Sequence, residues 1–293
     1  MKVAIYSRGG QSIQHSDLLN LNESLVNASI SPVYFKELYD QFETYLVSAS
    51  QLDTFTSAEE LDDSFDALIS LGGDGTLLDT VCLVHDKQIP VLGINFGRLG
   101  FLASLGKEHI TEAVEALKNR TYVLDKRSLI HLDADIPLFG EQPFALNEFT
   151  IHKREFSPMI KIHTYLNGEF LNTFWSDGLI VSTPTGSTGY SLSCNGPVVF
   201  PDSESLVITA MAPHNLNIRP IVIPSNNVLS FEVEGRANDF ICTLDSRKEL
   251  VKTKVQLAIR KEHFSFNLIR LDENYFLKTL REKLTWGFDT RNR

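Results

Sequence analysis

Short apolar runs alternate with stretches of helical spacing through the first part of the chain. Val3 to Ser7 has strand length and is followed by Arg8-Gly9-Gly10, then by Leu18, Leu19, Leu21, Leu25 and Val26 at helical intervals. Val33-Tyr34-Phe35 and the segment from Lys36 to Leu46 repeat the pair. Ser57-Ala58-Glu59-Glu60 has the Ser-to-Glu spacing of a capping box, which predicts a short helix before the next strand, Ala67 to Leu71. That strand stops at Gly72-Gly73-Asp74-Gly75. A helix through Val84 and a strand from Ile89 to Asn95 follow, and a helix from about Glu108 to Asn119 closes the series. Alternation of this kind predicts a parallel sheet with helices on its faces.

From Thr121 the texture changes to β-branched and aromatic runs. Leu129 to Asp133, Phe144 to His152, Met159 to Leu166, Leu171 to Val181, Leu206 to Met211, Val228 to Glu234, Phe240 to Leu244, Lys254 to Ile259 and Phe264 to Arg270 all read as strands. Asn167-Gly168 supplies a two-residue hairpin turn. Phe276, Leu277, Leu280 and Leu284 return to helical spacing. The expected fold class is an α/β N-terminal domain with a parallel, Rossmann-like sheet, followed by a mainly antiparallel β domain, a β-sandwich. The expected bounds are 1–122, 123–270 and a segment 271–293 that packs back on the first domain.

With 293 residues, 43% of them hydrophobic, the chain is long enough for two domains with their own cores. The balance of 27 basic against 37 acidic residues gives a net charge of -10, which argues against nucleic acid or an anionic membrane as a partner. A phosphorylated ligand must then be held locally, by backbone N–H groups, Mg²⁺ and a few placed basic residues. Cys82, Cys194 and Cys242 are too few and too scattered for a disulfide framework or a zinc site, as expected of a reducing compartment. Met1 to Tyr6 reads as the start of a strand and not as a signal peptide, and no apolar run reaches membrane-spanning length. A cytoplasmic enzyme is expected.

The chemistry concentrates at the glycine turns. Gly72, Gly73, Gly75 and Thr76 at the start of a helix suit phosphate oxygens, because glycine lets backbone N–H groups approach and the helix end is partly positive. A carboxylate there, Asp74, is useful if it holds a cation against the phosphates or takes a proton from an attacking hydroxyl. Both roles point to phosphoryl transfer. The same residues also make a plain turn closed by an Asx hydrogen bond, although the place after a buried strand favours a ligand. Their spacing matches neither a Walker loop nor the dinucleotide fingerprint. Asn95-Phe96-Gly97-Arg98-Leu99-Gly100-Phe101-Leu102 is a second such turn, which a parallel sheet would open on the same edge. Arg98 there suits phosphate, and Phe101 suits either adenine or the core. Arg8 reads as a solvated loop arginine more readily than as a ligand contact.

Ser176 to Ser193 gathers small hydroxyl residues around glycines directly after an apolar strand. Gly186-Ser187-Thr188-Gly189 offers N–H and hydroxyl donors at a helix start, a geometry suited to a diphosphate. The spacing is not that of a nucleophile elbow, and His214 carries no triad signature, which argues against a serine hydrolase. Asn147-Glu148 interrupts an apolar strand, so the two are either structural or hold a polar ligand.

On Gly72 to Thr76, Asn95 to Leu102, Asn147-Glu148, Asp177 to Ser193 and Ala212-Pro213-His214, the chain resembles NAD kinases over most of its length. Phosphofructokinases and diacylglycerol or sphingosine kinases share only the Gly-Gly-Asp-Gly turn. The resemblance implies an α/β domain and a β domain with ligand between them, and transfer of the γ-phosphoryl of ATP to the 2′-hydroxyl of the adenosine ribose of NAD, giving NADP. It implies Mg²⁺ or another divalent metal carried with ATP rather than by a protein motif, and a homo-oligomer, dimer or tetramer.

By the same resemblance Asp74 is the general base, with Gly75 beside it and Phe101 on the adenine side. Asn147 and Asp177 hold the adenine, and Glu148 accepts from ribose hydroxyls. Thr185, Thr188, Gly189, Tyr190, Ser191, Leu192 and Ser193 complete the pocket, Tyr190 by stacking and Ser193 by donating, and Ala212 lines it. Gly189 stands where alanine is usual. Trp175, on the NAD side, stands where some relatives carry a basic residue bearing on the choice between NAD and NADH. Cys194-Asn195 replaces a small pair and has no assigned role. Two rivals are a non-catalytic NAD-sensing module, which leaves Asp74 without a purpose, and a lipid kinase, which needs an exposed apolar entrance.

Overall fold

A computed structural model describes residues 1–9, 13–46, 52–97, 99–272 and 275–285. Arg98, read above as a phosphate contact, lies outside these, as do Gly10 and the last residues of the 271–293 segment. In chain order the first elements are β1 (Lys2–Tyr6), α1 (His15–Asn27), β2 (Ser31–Phe35), α2 (Lys36–Leu46), β3 (Thr54–Phe55), β4 (Ala67–Leu71), α3 (Asp74–Val84), β5 (Val91–Asn95), β6 (Leu105–Gly106) and α4 (Ile110–Asn119). Then come β7 (Val123–Ala134), β8 (Phe144–Ala145), β9 (Glu148–His152), β10 (Ile160–Leu166), β11 (Glu169–Ser176), β12 (Gly178–Ser182) and the short α5 (Tyr190–Ser193). The chain continues through β13 (Ser205–Met211), β14 (Ile221–Pro224), β15 (Leu229–Glu234), β16 (Asp239–Leu244), β17 (Arg247–Lys252), β18 (Leu257–Arg270) and α6 (Tyr275–Leu284). They fall into two compact units, Met1–Lys126 with Asn267–Arg293, and Arg127–Phe266.

The first unit is a doubly wound α/β fold. Its strands run in the order β3-β2-β1-β4-β5, every neighbouring pair parallel, and β6 and the end of β18 pair in parallel with β5. Every residue of β4 and β5 is buried, as expected of strands covered on both faces. Helix α1 is fastened to the unit through Leu18, Leu21 and Leu25. The order of the sheet reverses between β1 and β4, so their carboxyl ends diverge into a crevice, the usual place for a ligand in such sheets. The Gly72–Gly75 turn leaves the end of β4. The predicted capping box does not form: Ala58–Glu60 is a single 3-10 turn without a Ser57 side-chain cap, and the Glu60 carboxylate instead accepts from the N–H of Thr56 at 3.1 Å and from its hydroxyl.

The second unit is an antiparallel sandwich. One sheet runs β11-β10-β15-β18, with β7 on β18 and β8 on β7; the other runs β14-β13-β12-β9-β16-β17. Phe174 and Phe231 from the first sheet and Phe149 and Phe240 from the second are fully buried in one core, with the rings of Phe149 and Phe231 6.1 Å apart. Asn167 and Gly168 join β10 to β11 with φ of 50° and 84°, the positive pair that matches strand twist in a two-residue hairpin.

Two runs read as single strands are each divided. Phe144 to His152 breaks at Leu146-Asn147, and Leu171 to Val181 breaks at Asp177, because the first part of each pairs in one sheet and the second part in the other. β12 is buried at every position and β9 at all but its last, so an apolar run of this kind does not reveal the change of partner. Conversely, the runs at Lys254 to Ile259 and Phe264 to Arg270 belong to one strand, β18. Among the described residues no helix is long and apolar enough to cross a membrane.

Truncating Phe149 to alanine removes a fully buried ring from the sandwich core. The expected loss is about 3–5 kcal/mol of unfolding free energy, read as a lower urea midpoint with an unchanged slope.

Candidate active site

Asp74 opens α3, with Gly73 as its N-cap. Gly72 has φ of 150°, and a Cβ there would lie 2.4 Å from the Thr76 hydroxyl, so the tight exit from β4 requires glycine. Because β5 is the parallel neighbour of β4, the loop after β5 lies beside the turn. The Asp74 carboxylate leans into that loop: Oδ2 accepts from the N–H of Phe101 at 2.8 Å, and Oδ1 from those of Leu102 and Ala103 at 3.0 and 2.9 Å. A Cβ on Gly100 would come within 1.8 Å of Oδ1. The Asn95 side chain donates to the Ala103 carbonyl at 3.2 Å and accepts from the Gly97 N–H at 2.7 Å, which shapes the same loop.

A carboxylate offers about four acceptor positions, two on each oxygen. The three N–H groups therefore occupy both positions on Oδ1 and one on Oδ2. Among the described residues, one position on Oδ2 is left for a hydroxyl or a cation. Gly73 and Gly75 are exposed and Thr76 half-buried at the turn, and half-buried Phe101 contributes its backbone to Asp74. Arg8 is exposed, as expected of a solvated loop arginine, but it is also paired. Its guanidinium is clamped by both oxygens of Asp79 on α3, which also accepts from the Tyr6 hydroxyl at 3.1 Å, and Nη1 lies 3.5 Å from where a Gly75 Cβ would be.

In the second unit the Leu146-Asn147-Glu148 crossing is held by a residue that the sequence did not single out. Asp245, in the turn between β16 and β17 with φ of 52°, accepts from the N–H groups of Leu146, Asn147 and Glu148 at 2.9, 2.8 and 3.1 Å. Burial pushes its carboxyl upward in pKa, and the three N–H groups pull it back. The Thr183 hydroxyl donates to the Leu146 carbonyl at 2.5 Å and its N–H to that of Asn147 at 2.9 Å. Asn147 stays half-buried, whereas Glu148 is 9% exposed and its Oε2 is buried without a hydrogen-bond partner. Burial, then the nearby Asp245, pushes the Glu148 carboxyl up to about 8, opposed by the Tyr190 N–H. A Cβ at Gly189 would lie 3.1 Å from that oxygen, so alanine there would press on Glu148 and glycine leaves the space.

The Thr183 to Ser193 stretch differs from the expected diphosphate cradle. The N–H groups of Gly186, Ser187 and Gly189 and the hydroxyls of Ser187 and Thr188 all donate within the segment. Thr185 is buried against Arg127 at 3.1 Å, and the buried Ser191 hydroxyl meets Thr209 at 3.0 Å, so both hydroxyls are engaged inside the second unit. Gly189 and Leu192 are half-buried, and Tyr190 and Ser193 are exposed, the Tyr190 ring stacked on His152 at 5.9 Å and 19°.

Asp177 lies at the far end of the β9–β12 pair. Its carbonyl accepts from the Lys153 N–H at 2.9 Å and its carboxylate meets Lys153 Nζ at 2.9 Å, while Asn147 borders Thr183 at the other end. Five residues of strand lie between the two ends, six steps or about 20 Å, so one adenine ring does not reach both within one chain. Trp175, stacked on His214 at 4.2 Å, and exposed Ala212, with φ of 43°, share the Asp177 end. Asp245 and Arg127 carry no local signal: the residues they hold lie 97–99 and 58 positions away.

Residues 19–122 match the model of the ATP-NAD kinase N-terminal domain, and residues 146–271 that of the ATP-NAD kinase C-terminal domain. The chain belongs to the ATP-NAD kinase family. The NAD kinase of Cytophaga hutchinsonii is 48% identical over 258 residues, 86% of this chain and 88% of that one. That of Flavobacterium psychrophilum is 44% identical over 298 residues, the whole of both. The fold is that of a yeast NADH kinase solved with NADH, with a TM-score of 0.88 at 19% identity, covering 100% of this chain and 89% of that one. An NAD kinase from Archaeoglobus fulgidus solved with ATP has a TM-score of 0.76 at 23% identity, covering 98% and 100%.

Glu148 makes stability depend on pH. With its folded-state pKa raised to about 8 from 4.5, the unfolded chain ionises first and the native state loses stability as pH rises across that interval. Glu148→Gln is therefore expected to gain Tm relative to the wild type between about pH 4.5 and 8, with the difference level below and above, in thermal melts across that range.

Proposed function

We infer that the protein transfers the γ-phosphoryl of ATP to the 2′-hydroxyl of the adenosine ribose of NAD, giving NADP. The observation that carries this reading is the Asp74 carboxylate, fixed by three N–H groups at the switch point of a parallel sheet with one acceptor position left on Oδ2. A 2′-hydroxyl is a poor nucleophile, and the transferred phosphoryl passes through a loose transition state with its charge spread over oxygens. Positioning and charge stabilisation therefore decide the rate. The hydroxyl donates its proton to Asp74 Oδ2 as its oxygen bonds to the γ-phosphorus, and the bridging bond to ADP breaks.

Gly72, Gly73, Gly75 and Thr76 are assigned to the phosphates, where absent side chains and the amino end of α3 favour anions. Asn147 is assigned to the adenine and Glu148 to ribose hydroxyls. Glu148 suits that role because its buried Oε2 lacks a donor, which a ribose hydroxyl supplies. Tyr190 and Ser193 offer exposed surface on the same segment, and Trp175, Asp177 and Ala212 form a separate group on the second unit. The indole of Trp175 in place of a basic side chain removes a charge from that group, which bears on the choice between NAD and NADH.

Mg²⁺ fits as a companion of ATP. Among the described residues no three His, Cys, Asp or Glu side chains group to hold a metal, and a magnesium ion commonly takes phosphate oxygens, water and one or two carboxylates. Bound in this way it would neutralise phosphate charge, with Asp74 as the nearest carboxylate the turn offers. A cytoplasmic setting agrees with three cysteines that form no disulfide. A homo-oligomer agrees with large exposed apolar side chains on the second unit, including Phe170, Trp175 and Leu216.

Incubation with NAD, ATP and Mg²⁺ is expected to yield NADP. Dinucleotide binding without NADP would favour a sensor, and phosphorylated lipid would favour a lipid kinase. Asp74→Asn is expected to lower kcat at least about a hundredfold while NAD still binds by calorimetry. Near-normal turnover with unchanged metal dependence would remove Asp74 from its role.

A further inference from the structure

We propose that Arg270 is the positioning residue for Asp74, acting through the two peptide groups that join Phe101, Leu102 and Ala103. The inference rests on the reading of Asp74 as the base. Arg270 ends β18, and its side chain is almost wholly buried in the first unit. Nη1 donates to the Leu102 carbonyl at 2.8 Å and to the Ser104 hydroxyl at 3.0 Å, Nη2 lies 3.5 Å from the Phe101 carbonyl, and Nε lies 3.4 Å from Asp125 Oδ2.

The Leu102 carbonyl and the Ala103 N–H belong to one peptide group. So do the Phe101 carbonyl and the Leu102 N–H. Each group thus turns its oxygen toward the guanidinium and its N–H toward Asp74 Oδ1. A peptide unit carries a dipole of about 3.5 D, so a cation at one end and an anion at the other both favour the same orientation. The shorter contacts belong to the group between Leu102 and Ala103, which carries most of the effect. The next carbonyl along, that of Ala103, accepts from the Asn95 side chain and from the Gly100 N–H at 3.0 Å.

Burying a guanidinium costs free energy unless its donors are met, and here they are met largely by the loop that orients the base. The planar fork matters, because its amino groups reach two carbonyls and a hydroxyl that a lysine ammonium would serve less completely. Without the fork the two carbonyls lose donors, the peptides are free to turn, and Asp74 loses the N–H groups that aim Oδ2. A base that must be within hydrogen-bond reach of its hydroxyl tolerates little displacement.

A double-mutant cycle on the full chain with NAD, ATP and Mg²⁺ tests this. Arg270→Met is expected to lower kcat about 10- to 100-fold, with KM for both substrates moving less than about threefold. Arg270→Lys is expected to fall between Arg270→Met and the wild type. In an Asp74→Asn background, Arg270→Met is expected to change the residual kcat by less than about threefold, since the side chain it orients no longer takes the proton. Wild-type kcat in Arg270→Met, or a loss of equal size in both backgrounds, overturns the inference and marks Arg270 as structural. Should Arg270→Met not fold, Arg270→Lys carries the cycle under the same two criteria. An undiminished kcat in Asp74→Asn alone removes the base and the inference with it, whereas a loss there combined with additive Arg270 effects removes the inference only.

Discussion

A carboxylate that binds three successive backbone N–H groups is the interaction on which both units depend. Asp74 does this for Phe101, Leu102 and Ala103, and Asp245 for Leu146, Asn147 and Glu148. Phe101 to Ala103 lie in the loop after β5, and Leu146 to Glu148 cross from β8 into β9, so the carboxylates supply these N–H groups with acceptors, and unmet buried donors are costly. Hydrogen bonds to a charged acceptor contribute about 1.5–3 kcal/mol each, enough for one side chain to decide how an irregular segment runs. The segments fixed in this way are the ones to which the proposed function assigns its chemistry.

The two acids nevertheless end in different electrostatic conditions. Asp245 is buried and matched to the backbone, which makes it a structural anchor. Asp74 is half-buried, matched on Oδ1, and still able to accept on Oδ2. Glu148 is the opposite extreme, buried with one oxygen lacking a donor, so its neutral form persists to about pH 8. Buried polar atoms are generally satisfied, and the group that is not is where a ligand's donor gains most. Glu148 is thereby distinguished from Thr185 and Ser191, whose hydroxyls each have a partner within the protein.

Hydroxyl-rich segments around glycines are easily read as phosphate cradles, and Thr183 to Ser193 shows how the reading fails. Its donors turn inward because the segment follows a strand that ends inside the sandwich, where Thr183, Pro184, Gly186 and Ser187 are buried. A Cβ at Gly186 would sit 2.1 Å from the Asn147 carbonyl, so that glycine allows two backbone segments to touch and does not serve an anion. The Gly72–Gly75 turn contains similar residues at the carboxyl end of β4, and there Gly73 and Gly75 remain exposed.

Residue order alone determined the alternation of strands and helices in the first unit, the strand-rich second unit, the Asn167-Gly168 hairpin, both glycine turns and the family. Each of these follows from the period of side chains and from turn chemistry, which depend on neighbours a few residues away. Only the tertiary structure decided that two apparent strands change sheets at Leu146-Asn147 and at Asp177, that these crossings stand at opposite ends of β9 and β12, and that Asp245 and Arg270 hold the loops. Those outcomes depend on strand order and register, which bring together residues about a hundred or more positions apart. A local pattern cannot report whether a carboxylate's acceptor positions will be filled, because the donors that fill them come from elsewhere in the chain.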